Sequence, residues 1–171
     1  MKKDANKEFV RIYDRYIEKI YRFVYIKVSS QEIAEDITSE VFLKVWKVYQ
    51  KQKSATIRNP GSFLYKTAKN LLADYYRKRS KTMVTSIEDQ KELPDPNQDI
   101  DKKEATKEDL EKISKALQGL KDEYQDVIIW YYVEDLSIPE IAKILNKSEN
   151  AVRVMIHRAM TKLKETLNSK L

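Results

Sequence analysis

Residues 136–159 read LSIPEIAKILNKSENAVRVMIHRA, and this stretch decides the fold. Ser137, followed three residues later by a glutamate, predicts a capping box, and Pro139 suits a first helical turn because its missing N–H is not needed there. Asn146 tolerates the left-handed conformation that closes a helix, and Ser148 can cap the next one. The stretch therefore predicts two helices joined by a tight turn, a helix-turn-helix unit.

The second of these helices has two different faces. Its apolar stripe predicts a buried side made of Val152, Ile156, Ala159, Leu163 and Leu167. Residues at the helix start and away from that stripe are the candidate DNA-binding set: Ser148, Asn150, Arg153, Val154, His157, Arg158 and Lys162. Arginine suits the acceptor pair of guanine, and a helix N-terminus can hold a phosphate. The alternative is an ordinary solvated face.

The stripes that precede this unit predict two more helices. Their members are Leu110, Ile113, Leu117 and Leu120 in one stripe, and Tyr124, Val127, Ile128, Tyr131 and Tyr132 in the other. We therefore expect a carboxy-terminal domain of four helices over residues 106–171.

The amino-terminal part shows the same helical periodicity. Apolar residues at three- and four-residue steps predict helices over 5–28, 31–50 and 60–81. Ser29, with a glutamate three residues on, predicts the cap of the second helix, and Asn59 before a proline predicts the cap of the third. We therefore expect a three-helix domain here.

Charge separates the two parts of the chain. Residues 1–82 carry 19 Lys and Arg against 9 Asp and Glu, residues 83–109 carry 4 against 9, and residues 110–171 carry 10 against 9. The pattern predicts domains over 1–82 and 106–171, joined by a flexible acidic linker over 83–105. The net charge of +6 favours a polyanionic partner such as nucleic acid.

Composition narrows the fold class and the chemistry. With 2 Gly and 4 Pro against 35% charged residues, the chain favours an all-α fold. It has no cysteine, so disulfides and thiolate metal sites are excluded. No apolar run approaches the ~18–20 residues of a membrane span. We expect a cytoplasmic protein without membrane insertion, cofactor or metal.

Two further sets are candidate sites. The third helix mixes aromatic and basic residues: Phe63, Asn70, Tyr75, Tyr76, Arg77, Lys78, Arg79 and Lys81. This mixture suits an unpaired strand, because stacking contributes ~1–3 kcal/mol per base and cations hold the backbone; the alternative is that the aromatics are core. The second helix carries Glu32, Glu35, Asp36 and Glu40, which could dock a basic partner, hold Mg²⁺ in a nuclease or be merely solvated.

Three segments, in this order, resemble the extracytoplasmic-function (ECF) sigma factors. Residues 33–46, IAEDITSEVFLKVW, resemble the polymerase-binding AEDLxQExFLxxW segment of that family. Residues 63–78, FLYKTAKNLLADYYRK, are similar to its WLYxIAxNxxxDxxR stretch. Residues 136–159 resemble its helix-turn-helix, with Asn146 and Asn150 in place of two common glycines.

This resemblance implies a role for each candidate set. The polymerase-binding residues would be Asp36, Ser39, Glu40, Phe42 and Trp46, facing the clamp of core RNA polymerase. Asn70 would receive a base flipped from the promoter's −10 element, with the loop 53–62 around it, and the third-helix set would assist melting. The last helix would read the −35 element, and an anti-sigma factor is an expected further partner.

The sequence therefore predicts a non-enzymatic initiation factor that directs core polymerase to promoters. A stand-alone helix-turn-helix regulator is the alternative, and a metal-dependent nuclease is a third possibility. His157 is the sole histidine and has no neighbouring ligand set for a metal.

Overall fold

The computed structural model describes residues 2–51, 57–82 and 106–169. In these ranges the regular elements are all helical, which confirms the all-α fold class. They are α1 (Lys2–Val28), α2 (Gln31–Lys51), α3 (Pro60–Thr82), α4 (Lys107–Leu117), α5 (Asp122–Ile128), a π-helical segment (Ile129–Val133), α6 (Ile138–Leu145) and α7 (Glu149–Ser169). The predicted acidic linker, 83–105, and part of the loop 53–62 lie outside the described residues.

Helices α1–α3 form the amino-terminal half. Their apolar stripes meet in a core in which Ile20, Phe23, Val24, Val41 and Leu64 are fully buried. The side-chain oxygen of Asn59 accepts the Ser62 backbone N–H at 3.2 Å, which confirms the predicted cap of α3.

The cap predicted for α2 at Ser29 is wrong by one residue. Ser29 has a φ of +54° and its backbone N–H donates to Tyr25 at 2.8 Å, so it closes α1. Ser30 caps α2 instead, since its Oγ accepts the Ile33 backbone N–H at 3.4 Å. Because Ser29 has left the capping role, its hydroxyl is available for a contact in the carboxy-terminal half.

Helices α4–α7, with the π-helical segment, form the carboxy-terminal half. The predicted caps at Ser137 and Ser148 and the left-handed Asn146 are confirmed. Ser137 Oγ accepts the Glu140 N–H at 3.2 Å, Asn146 is left-handed at φ +53° and ψ +47°, and Ser148 Oγ accepts the Ala151 N–H at 3.1 Å. Local sequence therefore fixes the two helices and the turn between them.

The predicted stripes of α5 and α7 are partly wrong. Tyr132 and Leu167 are exposed, at 52% and 43%, whereas Trp130 is completely buried. Leu167 lies near the end of α7, beyond the last buried residue of that helix, Ala159. Trp130 lies in the π-helical segment and packs against the rings of Phe23 and Tyr65 in the amino-terminal half, and periodicity alone cannot show this second buried face.

The two halves pack directly against each other. The Trp130 ring centroid lies 5.5 Å from that of Phe23 in α1 and 6.2 Å from that of Tyr65 in α3. Helix α4 lies against α1, and α6 lies against α3. In this structure the described parts of the chain therefore form one packed body.

Candidate nucleic-acid and partner interfaces

The outer face of α7 carries the candidate duplex-binding residues. Val152, Ile156 and Ala159 are buried and fix the inner face of the helix. The predicted set is exposed: Ser148, Asn150, Arg153, Val154, His157, Arg158 and Lys162. The structure therefore brings this set together on one side of a capped helix, as a major-groove reader requires.

Arg153 is held at the amino-terminal end of this face. Its Nη1 donates to Asn150 Oδ1 at 3.1 Å, and its Nη2 lies 3.8 Å from Glu149 Oε2. Both contacts are at the surface, where such pairs contribute little energy and exchange easily. The guanidinium is thus oriented beside the helix start and can exchange these partners for a base or a phosphate.

A cleft of about 340 Å³ adjoins this face and was missed by sequence reasoning. Its lining includes Tyr132, Arg153, His157, Met160 and Lys164. The exposed ring of Tyr132 stands against Tyr131, with the ring centroids 4.9 Å apart. The sequence did not predict the exposure of Tyr132, because its apolar stripe placed this residue on the buried side of a helix.

The candidate single-strand residues of α3 divide between different faces. At 100° per residue, Phe63, Asn70, Arg77 and Lys81 share one face. Asn70, Arg77 and Lys81 are exposed and Phe63 is half-buried. Arg77 pairs with Asp74 on this surface. This face combines a cationic end with one aromatic ring and one amide, which are the groups that hold an unpaired strand.

Tyr75, Tyr76, Lys78 and Arg79 lie outside that face. Tyr76 donates its hydroxyl to the Lys27 backbone carbonyl at 2.5 Å. Burial first, and then the carboxylate of Asp122, raise the pKa of Tyr76 far above its usual range. Tyr75 is half-buried, and its hydroxyl accepts a 3.5 Å hydrogen bond from Arg79 Nη1. In this arrangement Tyr76 holds α3 against α1 and is not a free stacking platform.

Helix α2 presents the candidate polymerase-binding residues in two layers. Asp36, Ser39 and Glu40 are exposed on one face of the helix. Phe42 is only 4% exposed, and its ring centroid lies 5.0 Å from that of Tyr13. Phe42 therefore belongs to the core beneath this face of α2.

Beside this face runs an apolar groove of about 570 Å³ between α1 and α2. Trp46 is half-buried there, with its ring centroid 4.9 Å from that of Phe9. The groove also exposes Val10 and Leu43, at 53% and 51%. Val10 was missed, because a single exposed valine in a helical stripe has no sequence signal of its own.

The described residues contain neither a cluster of metal ligands nor a membrane span. Across 2–51, 57–82 and 106–169, no three His, Asp or Glu side chains lie close enough together to hold a metal ion. Over the same ranges, no helix is both long enough and apolar enough to cross a bilayer.

Comparison with known proteins identifies both halves. The model of sigma-70 region 2 matches residues 12–82, and that of sigma-70 region 4 matches residues 110–163. The chain is 31% identical over 182 residues to the ECF RNA polymerase sigma factor SigW of Bacillus subtilis, covering 98% of this chain and 92% of SigW. It is also 31% identical over 172 residues to the ECF RNA polymerase sigma factor BldN of Streptomyces coelicolor. That alignment covers 93% of this chain but only 60% of BldN.

The solved structures agree at the level of the fold. The sigma factor RpoE of Bartonella quintana, in complex with the anti-sigma factor NepR, superposes with a TM-score of 0.68 at 20% identity, covering 97% of this chain and 98% of RpoE. The chain therefore belongs to the ECF sigma factors, a group within the sigma-70 family.

Proposed function

We propose that this chain binds core RNA polymerase and directs it to promoters by reading two DNA elements and assisting their melting. In this proposal residues 1–82 form the domain that binds polymerase and the −10 element, 83–105 form the linker, and 106–171 form the domain that reads the −35 element. The chain performs no catalysis of its own and acts in the cytoplasm, where it meets polymerase and DNA.

One observation carries the proposal more than any other. A capped helix with an exposed Arg153, His157 and Arg158 and a second helix with an exposed Asn70 and Arg77 occur in one chain. The first surface suits duplex DNA, and the second suits an unpaired strand. A factor that selects a promoter and then opens it needs both surfaces.

The partners follow from the same surfaces. The carboxylates of Asp36 and Glu40 stand beside the groove lined by Phe9, Leu43 and Trp46. A partner helix with an apolar stripe and basic flanks fits this combination, and we assign it to the clamp of core polymerase. The solved relative RpoE is bound to an anti-sigma factor, and we propose that a protein of that class also regulates this chain.

Reconstituted transcription tests the proposal. Core polymerase with this chain is expected to give a promoter-specific transcript, whereas core polymerase alone gives none. A transcript that does not depend on the chain, or none with cognate core and promoter, would contradict it. The stand-alone regulator predicts instead that the free chain binds specific duplex DNA tightly without polymerase.

A further inference from the structure

The cleft beside α7 brings cationic side chains together with an exposed aromatic ring. Arg153, His157 and Lys164 of α7 line it on one side, and Tyr131 and Tyr132 of the π-helical segment line it on the other. None of the described residues that line the cleft is acidic. Tyr132 and Lys164 lie outside the set that the sequence predicts to read duplex DNA, so the cleft extends that surface by two polar side chains.

Helix α7 carries cations on both sides of its outer face. If the exposed Val154 is taken as the centre of that face, Lys164 lies about 80° to one side and Lys162 about 80° to the other, at 100° per residue. An α-helix with its side chains is about 10–12 Å wide, and the major groove is about 12 Å wide. A helix that enters the groove therefore brings these two sides against the two sugar–phosphate backbones.

Lys164 is a cation whose charge no neighbouring carboxylate neutralises. It is exposed, and no acidic group within 2–51, 57–82 and 106–169 forms an ion pair with it. The other two cations differ in this respect, since Lys162 Nζ lies 3.8 Å from a carboxylate oxygen of Glu165 and Arg153 Nη2 lies 3.8 Å from one of Glu149. A phosphate that reaches Lys164 therefore has no protein anion to displace.

The π-helical segment turns Tyr132 outward. The Glu134 N–H donates to the Ile129 carbonyl at 2.9 Å, five residues back, so a turn of this segment holds more residues than a turn of an α-helix. Tyr132 therefore leaves the predicted apolar stripe and is 52% exposed. Its ring stands edge-on to that of Tyr131, which limits where it can lie. Among the described residues its hydroxyl has no hydrogen-bond partner, so the cleft presents a donor that is held but unused.

We propose that Lys164 and Tyr132 form a phosphate-binding subsite that holds one backbone of the DNA duplex beside the bases read by α7. Lys164 supplies the charge, and Tyr132 donates its hydroxyl to a phosphate oxygen of the same strand. Because Lys164 lies about 16 Å along α7 from Arg153, the subsite fixes the angle at which the helix enters the groove. A backbone contact positions the protein and carries no sequence information. The inference rests on the proposed function, because it extends the duplex contact assigned to α7.

Salt dependence separates a phosphate contact from a base contact. For each phosphate that a protein neutralises, the slope of log K against log salt becomes steeper by about 0.9, because counterions are released. Fluorescence anisotropy at a series of KCl concentrations measures the binding of core polymerase carrying this chain to a labelled promoter duplex. Lys164→Ala, Lys164→Arg and Tyr132→Phe are compared with the native chain. Lys112→Ala, at an exposed position of α4, is the control.

The charge and the hydroxyl are expected to give different results. Lys164→Ala weakens binding about tenfold, by the same factor on promoters that differ in their −35 bases, and makes the slope about 0.9 less steep. Lys164→Arg keeps the native slope, because it keeps the charge. Tyr132→Phe weakens binding about threefold with an unchanged slope, since a hydroxyl neutralises no phosphate. Lys112→Ala leaves both the affinity and the slope unchanged.

A native slope in Lys164→Ala would overturn the subsite. A loss confined to particular −35 bases would overturn it as well, because Lys164 would then contact a base. Native affinity in Tyr132→Phe would overturn the hydroxyl contact. If the native chain gives polymerase no preference for a −35 duplex over a scrambled one, the proposed function fails. The slopes of the free native chain and of free Lys164→Ala on the same duplex then still decide whether Lys164 meets a phosphate.

Discussion

Glu134 illustrates what a single residue contributes and why the sequence could not show it. Its carboxylate is buried, and its partner Arg22 is 112 residues away in the chain. Removing one member of a buried pair leaves the other charge uncompensated, at a cost on the order of 3–5 kcal/mol. Residue patterns predict neighbours three or four positions apart, so this pairing had no local signal.

Asn70 tests the proposed strand contact at residue scale. Because its amide is exposed on the face shared with Arg77 and Lys81, Asn70→Ala is expected to leave folding intact and to blur preference at one −10 base. Transcription from a library randomised over that element measures this preference. Lys112→Ala, at an exposed position of α4, is the control, and an unchanged preference in Asn70→Ala would remove Asn70 from this role.

Arg153 tests the proposed duplex contact. If it makes a bidentate contact with a guanine, Arg153→Ala is expected to weaken use of the −35 element by ~1–3 kcal/mol. Promoters with and without that element measure the loss, and Lys112→Ala is the control because Lys112 is exposed on a different helix, α4. Equal loss on both promoters would assign Arg153 a structural role.

The helices themselves follow closely from local sequence. Asn59, Ser137 and Ser148 cap α3, α6 and α7 as predicted, because a cap needs only a side-chain oxygen and the next turn of backbone. The signal at Ser29 was misread, because Ser30 beside it has the same hydroxyl. The π-helical segment was not predicted. The N–H of Glu134, the residue that follows the segment, donates to the Ile129 carbonyl at 2.9 Å, an i→i+5 bond that no apolar period indicates.

The cap of α7 gives a prediction at the scale of the element. Ser148→Ala removes the acceptor of the Ala151 N–H and is expected to lower the free energy of unfolding by ~1 kcal/mol. Chemical denaturation monitored by circular dichroism measures this change. Ser148→Asp, which keeps an acceptor at the same position, is expected to retain most of the stability; an equal loss in both variants would contradict the capping role.

At the scale of the whole molecule, the contact between the two halves combines favourable and unfavourable groups. Trp130 buries a large ring between the halves, yet its indole N–H has no acceptor among the residues that the structure describes. A buried unsatisfied donor costs about 1–3 kcal/mol. The packing between the halves therefore leaves one buried donor unsatisfied. The sequence predicted the two halves but not this packing, since none of its partners are neighbours in the chain.

The buried ion pair between Lys27 Nζ and Asp126 Oδ1, which lie 3.0 Å apart, gives a pH dependence. Burial raises the pKa of Asp126, and the nearby Lys27 only partly offsets this effect. A carboxyl whose pKa is raised on folding contributes stability below its unfolded pKa, and this contribution is lost as pH rises through the folded value. The free energy of unfolding is therefore expected to fall with rising pH more steeply in the native chain than in Asp126→Asn.

Denaturation at a series of pH values measures these slopes. Asp14→Asn is the matched control, because Asp14 is exposed on α1 and is not among the groups that shift the pKa of Asp126. Its slope is expected to match that of the native chain. Identical slopes for the native chain and Asp126→Asn would show that Asp126 does not contribute to the pH dependence.

The central claim is that the two halves read separate DNA elements, and the distance between the halves during transcription tests it most directly. Cysteines placed at Asp14 on α1 and Lys112 on α4, both exposed, can carry the only two fluorophores in a chain that otherwise has no thiols. Energy transfer is predicted to be high in the free chain and to drop sharply once core polymerase and promoter are added. High transfer that persists while promoter-specific transcript accumulates would contradict the account.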